Sequence, residues 1–234
     1  MLRKRLLPLL FLTVLAVSGW ALYSGRLEVP ERWNPWAPLR IEAAPTLVTR
    51  IKLARLSRDA PQCRAVLATA RLLYAPLTDR DTGPGCGFVN AVRVSRTTAQ
   101  VGQAFALSCH AAVSLAMWEH HVMQPAARRR FGEAVARIEH YGSYACRNVG
   151  SREGARRSRH ATADALDIAG FVLDDGRRIS VLRHWPRDNT EEAAFLRDVH
   201  RGACRFFDGV LGPEYNAAHR DHLHFDRGRF RICR

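Results

Sequence analysis

His219-Arg-Asp-His-Leu-His-Phe-Asp226 alternates ionisable and apolar residues from His222 onward. In an extended strand side chains alternate between faces, so His222, His224 and Asp226 share one face and Leu223 and Phe225 the other. One face buries; the other presents imidazoles. A second stretch, Ser158-Arg-His-Ala-Thr-Ala-Asp-Ala-Leu-Asp-Ile168, carries Asp167 inside the apolar run from Ala165 to Phe171. A lone carboxylate buried there is costly unless a cation or several donors compensate it. His160 and Asp167 lie too far apart along one strand, at about 3.3 Å per residue, to share an ion. The chain must therefore bend between them. His160 is expected in a loop or turn leading into the strand of Asp167, with the strand of His222 and His224 paired beside it. Two imidazoles and a carboxylate make a common catalytic zinc set, because three protein ligands leave one tetrahedral position open.

Ser-x-His-x6-Asp followed by a C-terminal His-x-His resembles the zinc peptidase superfamily that includes lysostaphin-type endopeptidases and D-Ala-D-Ala metallopeptidases. The fuller His219-x-x-His222-x-His224-Phe225 ending, preceded by Leu211-Gly-Pro-x-Tyr-Asn216, resembles the bacterial extensin-like C-terminal family and the penicillin-insensitive murein endopeptidases. The likeness runs from Cys63 to Cys233, and its motifs are specific together and weak singly. It implies that His160, Asp167 and His224 hold Zn2+, that His222 is the base or electrostatic partner, and that His219 is a second active-site imidazole. It also implies substrate contacts from Ser158 and Arg147. The wider superfamily often has glycine three residues after the first histidine, where this chain has Ala163. If that position takes positive φ, alanine strains the turn.

The 234 residues are 47% hydrophobic and 25% charged, enough to bury a core. A basic start, Met-Leu-Arg-Lys-Arg5, precedes an apolar run from Leu6 to Tyr23. That pattern is a signal peptide, with Ala16-Val-Ser18 as a cleavage site, or a membrane anchor with Trp20 and Tyr23 as interface aromatics. Either places the rest of the chain in the periplasm, anchored to the inner membrane or exported. Six cysteines with no Cys-x-x-Cys pair fit an oxidising compartment and disulfides better than a cysteine metal site. The expected pairs are Cys63 with Cys86 and Cys204 with Cys233. The formal charge of +14 is almost all arginine and suggests an anionic neighbour. No zinc-finger, helix-turn-helix or aromatic-basic strand pattern accompanies it, which excludes sequence-specific nucleic-acid binding from the expectation.

The expected class is α+β: a small antiparallel sheet carrying a zinc site, flanked by helices, behind a single N-terminal hydrophobic segment. Residues 1–25 form the anchor or signal peptide, the proline-rich 26–45 a linker or extended arm, and 46–234 the domain. Apolar spacing predicts helices over Leu47 to Leu56, Pro61 to Tyr74, Ala104 to Met123 and Thr190 to Phe207. Strands are expected over Phe88 to Val94 and Ala134 to Tyr144, the latter delivering Arg147, and a hairpin turns at Asp174-Asp-Gly176. His120 and His121 point about 100° apart on a helix and are expected to be structural. The function these residues imply is zinc-dependent hydrolysis of peptide bonds in peptidoglycan. The alternative is a non-catalytic peptidoglycan-binding or structural zinc domain of the envelope.

Overall fold

The computed structural model describes residues 2–228 and 230–234, without the side chains of residues 2–7, 9, 22 and 23. Its strands are β1 (Leu73–Pro76), β2 (Arg80–Gly83), β3 (Cys86–Phe88), β4 (Ala91–Arg96), β5 (Gln100–Ser108), β6 (Val135–Gly142), β7 (Ala165–Leu173), β8 (Arg178–Ser180), β9 (Gly209–Leu211), β10 (Leu223–Asp226) and β11 (Ile232–Cys233). The helices are α1 (Leu2–Tyr23), α2 (Thr49–Leu56), α3 (Ala60–Leu67), α4 (Cys109–Trp118), α5 (Gln124–Phe131), α6 (Val181–His184) and α7 (Glu191–Ala203). One sheet of nine strands runs β1-β4-β5-β6-β7-β10-β9-β11, with β8 joined to β7; β2 and β3 form a separate hairpin. The class is α+β as expected, but the sheet is large rather than small. It is antiparallel except where β5 meets β6 and β9 meets β11.

Among the described residues no helix is long and apolar enough to cross a membrane. The anchor or signal peptide expected over residues 1–25 draws in part on residues outside those described. The 26–45 stretch has no helix or strand, yet it is packed rather than free. Leu39 and Ile41 lie in the core, and the buried Lys52 Nζ donates to the carbonyls of Glu31 at 2.7 Å and Pro38 at 3.3 Å.

The backs of β7 and β10 build the floor under the site. Leu166, Ile168, Leu223 and Phe225 are fully or almost fully buried, each contributing about 1.5–3 kcal/mol by leaving water. They pack against α4, where the Trp118 ring lies edge-on to Phe225 at 5.2 Å between centroids. Trp118 Nε1 also donates to the Val199 carbonyl at 2.9 Å and so ties α4 to α7. The α7 N-cap is Thr190, whose hydroxyl accepts the Ala193 N–H. The hairpin between β7 and β8 also forms as predicted, with Gly176 at φ +85. On β7 a bulge inserts one residue: Glu139 pairs with Gly170 but His140 with Ile168. It reverses the alternation, so Asp167 faces outward while Ile168 and Phe171 both face the helices.

Three expected elements differ. The helix over Ala104 to Met123 begins only at Cys109, because Gln100–Ser108 is a strand laddered to β4. Val101, Phe105 and Leu107 are its buried apolar residues, and Leu107 fits a strand's alternation as well as a helix's spacing. The helical run also goes on past Met123. A five-residue π turn, Glu119–Met123, precedes Pro125, and α5 continues to Phe131; the widened turn reroutes the ladder just where proline has no N–H to give. The helix over Pro61 to Tyr74 stops at Leu67, and the strand over Phe88 to Val94 breaks at Asn90, whose φ is +52. The disulfides are Cys63–Cys109, Cys86–Cys146 and Cys204–Cys233. The third is as expected. The first two correct the Cys63 with Cys86 pairing: Cys63 is buried on α3 facing α4, and proximity in sequence did not reveal that packing.

Glu119 in the π turn is fully buried. Its Oε2 accepts the Thr98 N–H and hydroxyl, and its Oε1 has no partner among the described residues. Burial outweighs those hydrogen bonds and pushes the carboxyl up to about 7. A folded-state value above the unfolded one favours the fold at low pH and loses that benefit as pH rises from about 4.5 to about 7. Urea unfolding of the disulfide-intact protein should therefore show wild type losing about 3 kcal/mol between pH 4 and pH 8 that Glu119→Gln does not lose. Parallel profiles for the two proteins would refute the assignment.

Candidate metal centre

Register sets the centre. Antiparallel pairing of β10 with β7 puts His224 opposite Asp167 and Leu223 opposite Ile168, so the histidine and the acid share the outer face. His160 arrives by a 3-10 turn, Arg159–Thr162, whose N-cap Ser158 accepts the His160 N–H through its hydroxyl at 3.3 Å. The turn closes on Ala163 at φ +54, a left-handed conformation that costs a non-glycine residue about 1–2 kcal/mol. The Ala163 methyl is buried against Phe88 and Ala91, which offsets part of that cost.

His160, Asp167 and His224 each offer a ligand atom within 4.8 Å of the others, and all three are buried. His160 Nε2 lies 3.0 Å from Asp167 Oδ2 and 3.2 Å from His224 Nδ1, and His224 Nδ1 lies 2.8 Å from Asp167 Oδ1. Ligands around a tetrahedral ion at about 2.0–2.1 Å stand roughly 3.3 Å apart, so the cluster has the right size. The outer contacts set the tautomers. His160 Nδ1–H donates to the Ser143 carbonyl, and His224 Nε2–H donates to Asp226 Oδ2 at 3.0 Å. His160 Nε2 therefore presents a lone pair to the carboxylate. Two acceptors 3.0 Å apart repel unless a positive charge, a proton or a metal ion, sits among the three groups. Burial alone would lower the His224 imidazole, yet hydrogen bonds to Asp167 and Asp226 raise it to about 9. Burial alone would raise Asp167, yet the same two imidazoles hold it well below the usual carboxylate range.

The mouth is lined by the other expected residues. His222 Nε2 is 3.6 Å from Asp167 Oδ1, while its Nδ1–H donates to Asp221 Oδ1 at 2.9 Å. The Tyr141 hydroxyl donates to the other oxygen of Asp221 at 3.4 Å, and its ring lies edge-on to His222. The His219 ring lies tilted 5.2 Å from that of His222, and its Nδ1–H donates to Asn216 Oδ1 at 2.7 Å. Burial and the neighbouring imidazoles push His219 down to about 4, so it is neutral at ordinary pH. Arg147 reaches to 4.0 Å from Asp167 Oδ2 and is half-exposed, its backbone held beside the Cys86–Cys146 disulfide. Ser158 is buried, and its hydroxyl serves the turn that carries His160. His120 and His121 stay out of the site; His121 Nε2 meets the Ile41 carbonyl at 2.7 Å.

Three supports were missed from sequence: Asp226 as the partner of His224, Asp221 as the partner of His222, and the Ser143 carbonyl as the partner of His160. The alternation of 222, 224 and 226 and the adjacency of 221 to 222 carried a signal for the acids. A backbone carbonyl carries none.

Fold and site together define a mixed α+β domain with a candidate metal centre on the outer face of its sheet. The family model described as extensin-like protein C-terminus matches residues 61–234, and the chain belongs to that family. No curated protein and no solved structure matches it.

Elemental analysis of the protein as purified should find about one divalent ion per chain. His160→Ala, Asp167→Ala and His224→Ala should lose it, and Asp226→Ala should weaken binding about 10–100-fold. His222→Ala should retain the ion; metal loss in His222→Ala equal to that in His224→Ala would overturn this division between ligands and mouth.

Proposed function

We propose that this domain is a zinc-dependent hydrolase that cleaves peptide bonds in peptidoglycan. The observation that carries the reading is the buried triad of His160 Nε2, Asp167 and His224 Nδ1, converging on one point with His222 and Arg147 beside it. Likeness to the zinc peptidase superfamily at the same positions adds to it. Two histidines and a carboxylate suit zinc. When bound, zinc supplies Lewis-acid chemistry, polarising a carbonyl and acidifying water.

The chain's own residues do the rest. Asp221 holds His222 with Nδ1–H outward from the centre, so Nε2 faces the site as an acceptor able to take a proton from an attacking water and return it to the leaving amine. His219, neutral and fixed by Asn216, offers a second acceptor beside it. Arg147 presents a guanidinium to a substrate carboxylate, a pairing that is strong when bidentate. Three disulfides already brace the fold, so a metal serving only as a brace would add little where a three-residue set leaves a position free. The basic and then apolar sequence of residues 2–23, an export signal or anchor pattern, supports placing the domain in the periplasm, with peptidoglycan as the polymer within reach.

Purified sacculi incubated with the protein should release new peptide ends, seen by mass spectrometry, that vanish with a chelator and return with zinc. His222→Ala should slow release about 10²–10⁴-fold with metal content unchanged. Co-sedimentation with sacculi and no new products at any metal loading would replace the hydrolase with a binding domain.

A further inference from the structure

Strands β5 and β6 pair at a single position, Gln100 with Arg137, and then part. His140 fills some of the gap, its Nε2–H lying 2.8 Å from the Val101 carbonyl and 3.0 Å from that of Gln103. Beyond it the two strands border a groove of about 570 Å³. Phe88 and Tyr144, packed edge-to-face, close one side beneath the β2–β3 hairpin. Arg80, Arg93 and Arg137, from three different strands, line it. All three are exposed, and within the described residues none of their guanidiniums makes an ion pair or hydrogen bond.

One end of the groove is the wall of the metal centre. Tyr141, Gly142 and Ser143 line it; Tyr141 contacts His222, and the Ser143 carbonyl holds His160. Gly142 pairs directly with Asp167 in the ladder, has φ +102, and meets open space where a Cβ would project. No side chain at that position stands between groove and centre.

We propose that this groove is the substrate channel of the metal centre and takes an extended acidic peptide, its carboxylates on Arg80, Arg93 and Arg137 and its scissile bond delivered past Gly142. This rests on the hydrolase reading and gives it a substrate chemistry. Parted strands suit an extended chain running between them. Unpaired guanidiniums suit carboxylates, and their separate positions require a chain that bears more than one.

The test is fluorescence polarisation with a labelled tetrapeptide carrying two free carboxylates, against its bis-amide, on the full-length protein. Arg80→Gln, Arg93→Gln and Arg137→Gln should each weaken binding of the diacid about two- to fivefold, and the triple variant about tenfold or more, with metal content and thermal unfolding unchanged. Arg201→Gln, an exposed arginine on α7, should leave binding as in wild type. Diacid and bis-amide binding alike, or a triple variant that binds the diacid as wild type does, would overturn the channel. So would a single-stranded oligonucleotide binding as tightly as the diacid with the same arginine dependence, which would make the surface a general polyanion patch. Polarisation is read in the His222→Ala background, which keeps the ion and slows cleavage, so that binding is scored on the intact peptide. Arginine-dependent binding without sacculus cleavage would remove the hydrolase and keep the groove; cleavage with arginine-independent binding would do the reverse.

Discussion

The centre depends on one register. His224 stands opposite Asp167 because β10 pairs with β7 in a single alignment, and a slip of one residue would turn Leu223 and Phe225 outward and the imidazole into the core. The apolar residues hold that alignment. Leu223 with Ile168 and Phe225 with Leu166 are buried pairs on the inner face, closed from behind by Trp118. The polar cluster contributes nothing comparable by itself, since three buried acceptors oppose one another until a positive charge joins them. The core thus holds the ligands in place, and the ligands leave a demand that a cation meets.

The period of two in His222 to Asp226 was legible because both of its consequences, a buried face and an outward face, are written in residue type. The hairpin at Asp174-Asp-Gly176 was legible for the same reason: local chemistry dictates it. The size of the sheet was not. β5 is held in place by its ladder to β4, and its Ala104 to Ser108 half continues into a helix with compatible apolar spacing, so periodicity alone could not find the boundary. Cysteine pairing failed in the same way. Cys63 and Cys109 lie 46 residues apart in sequence and meet only because α3 packs on α4.

Ala163 shows how a local conflict is tolerated beside the site. The turn needs positive φ there so that the Ala163 and Asp164 N–H groups can reach the carbonyls of His160 and Arg159, and glycine would supply that conformation without strain. Alanine instead places a methyl on Phe88 and Ala91, joining the turn to β3 and β4. A buried methyl is worth about 0.8 kcal/mol, close to the lower bound of the strain it accompanies. The same β3 carries Cys86, bonded to Cys146 next to Arg147. One small patch therefore positions both the His160 turn and the arginine at the mouth.

The arginines divide by the work they do. Arg50 and Arg227 meet at Asp208, Arg130 bridges Asp198 and Glu191, and Arg197 meets Asp188. These tie helices and loops to their neighbours and would serve in any arginine-rich protein. Arg80, Arg93 and Arg137 have no such partner among the described residues; Glu139, which lines the same groove, is engaged by Arg178 instead. A compositional habit alone would scatter unpaired cations without regard to shape. Here three of them border the gap between parted strands, and that gap leads to the one place among the described residues where a buried carboxylate and two imidazoles converge.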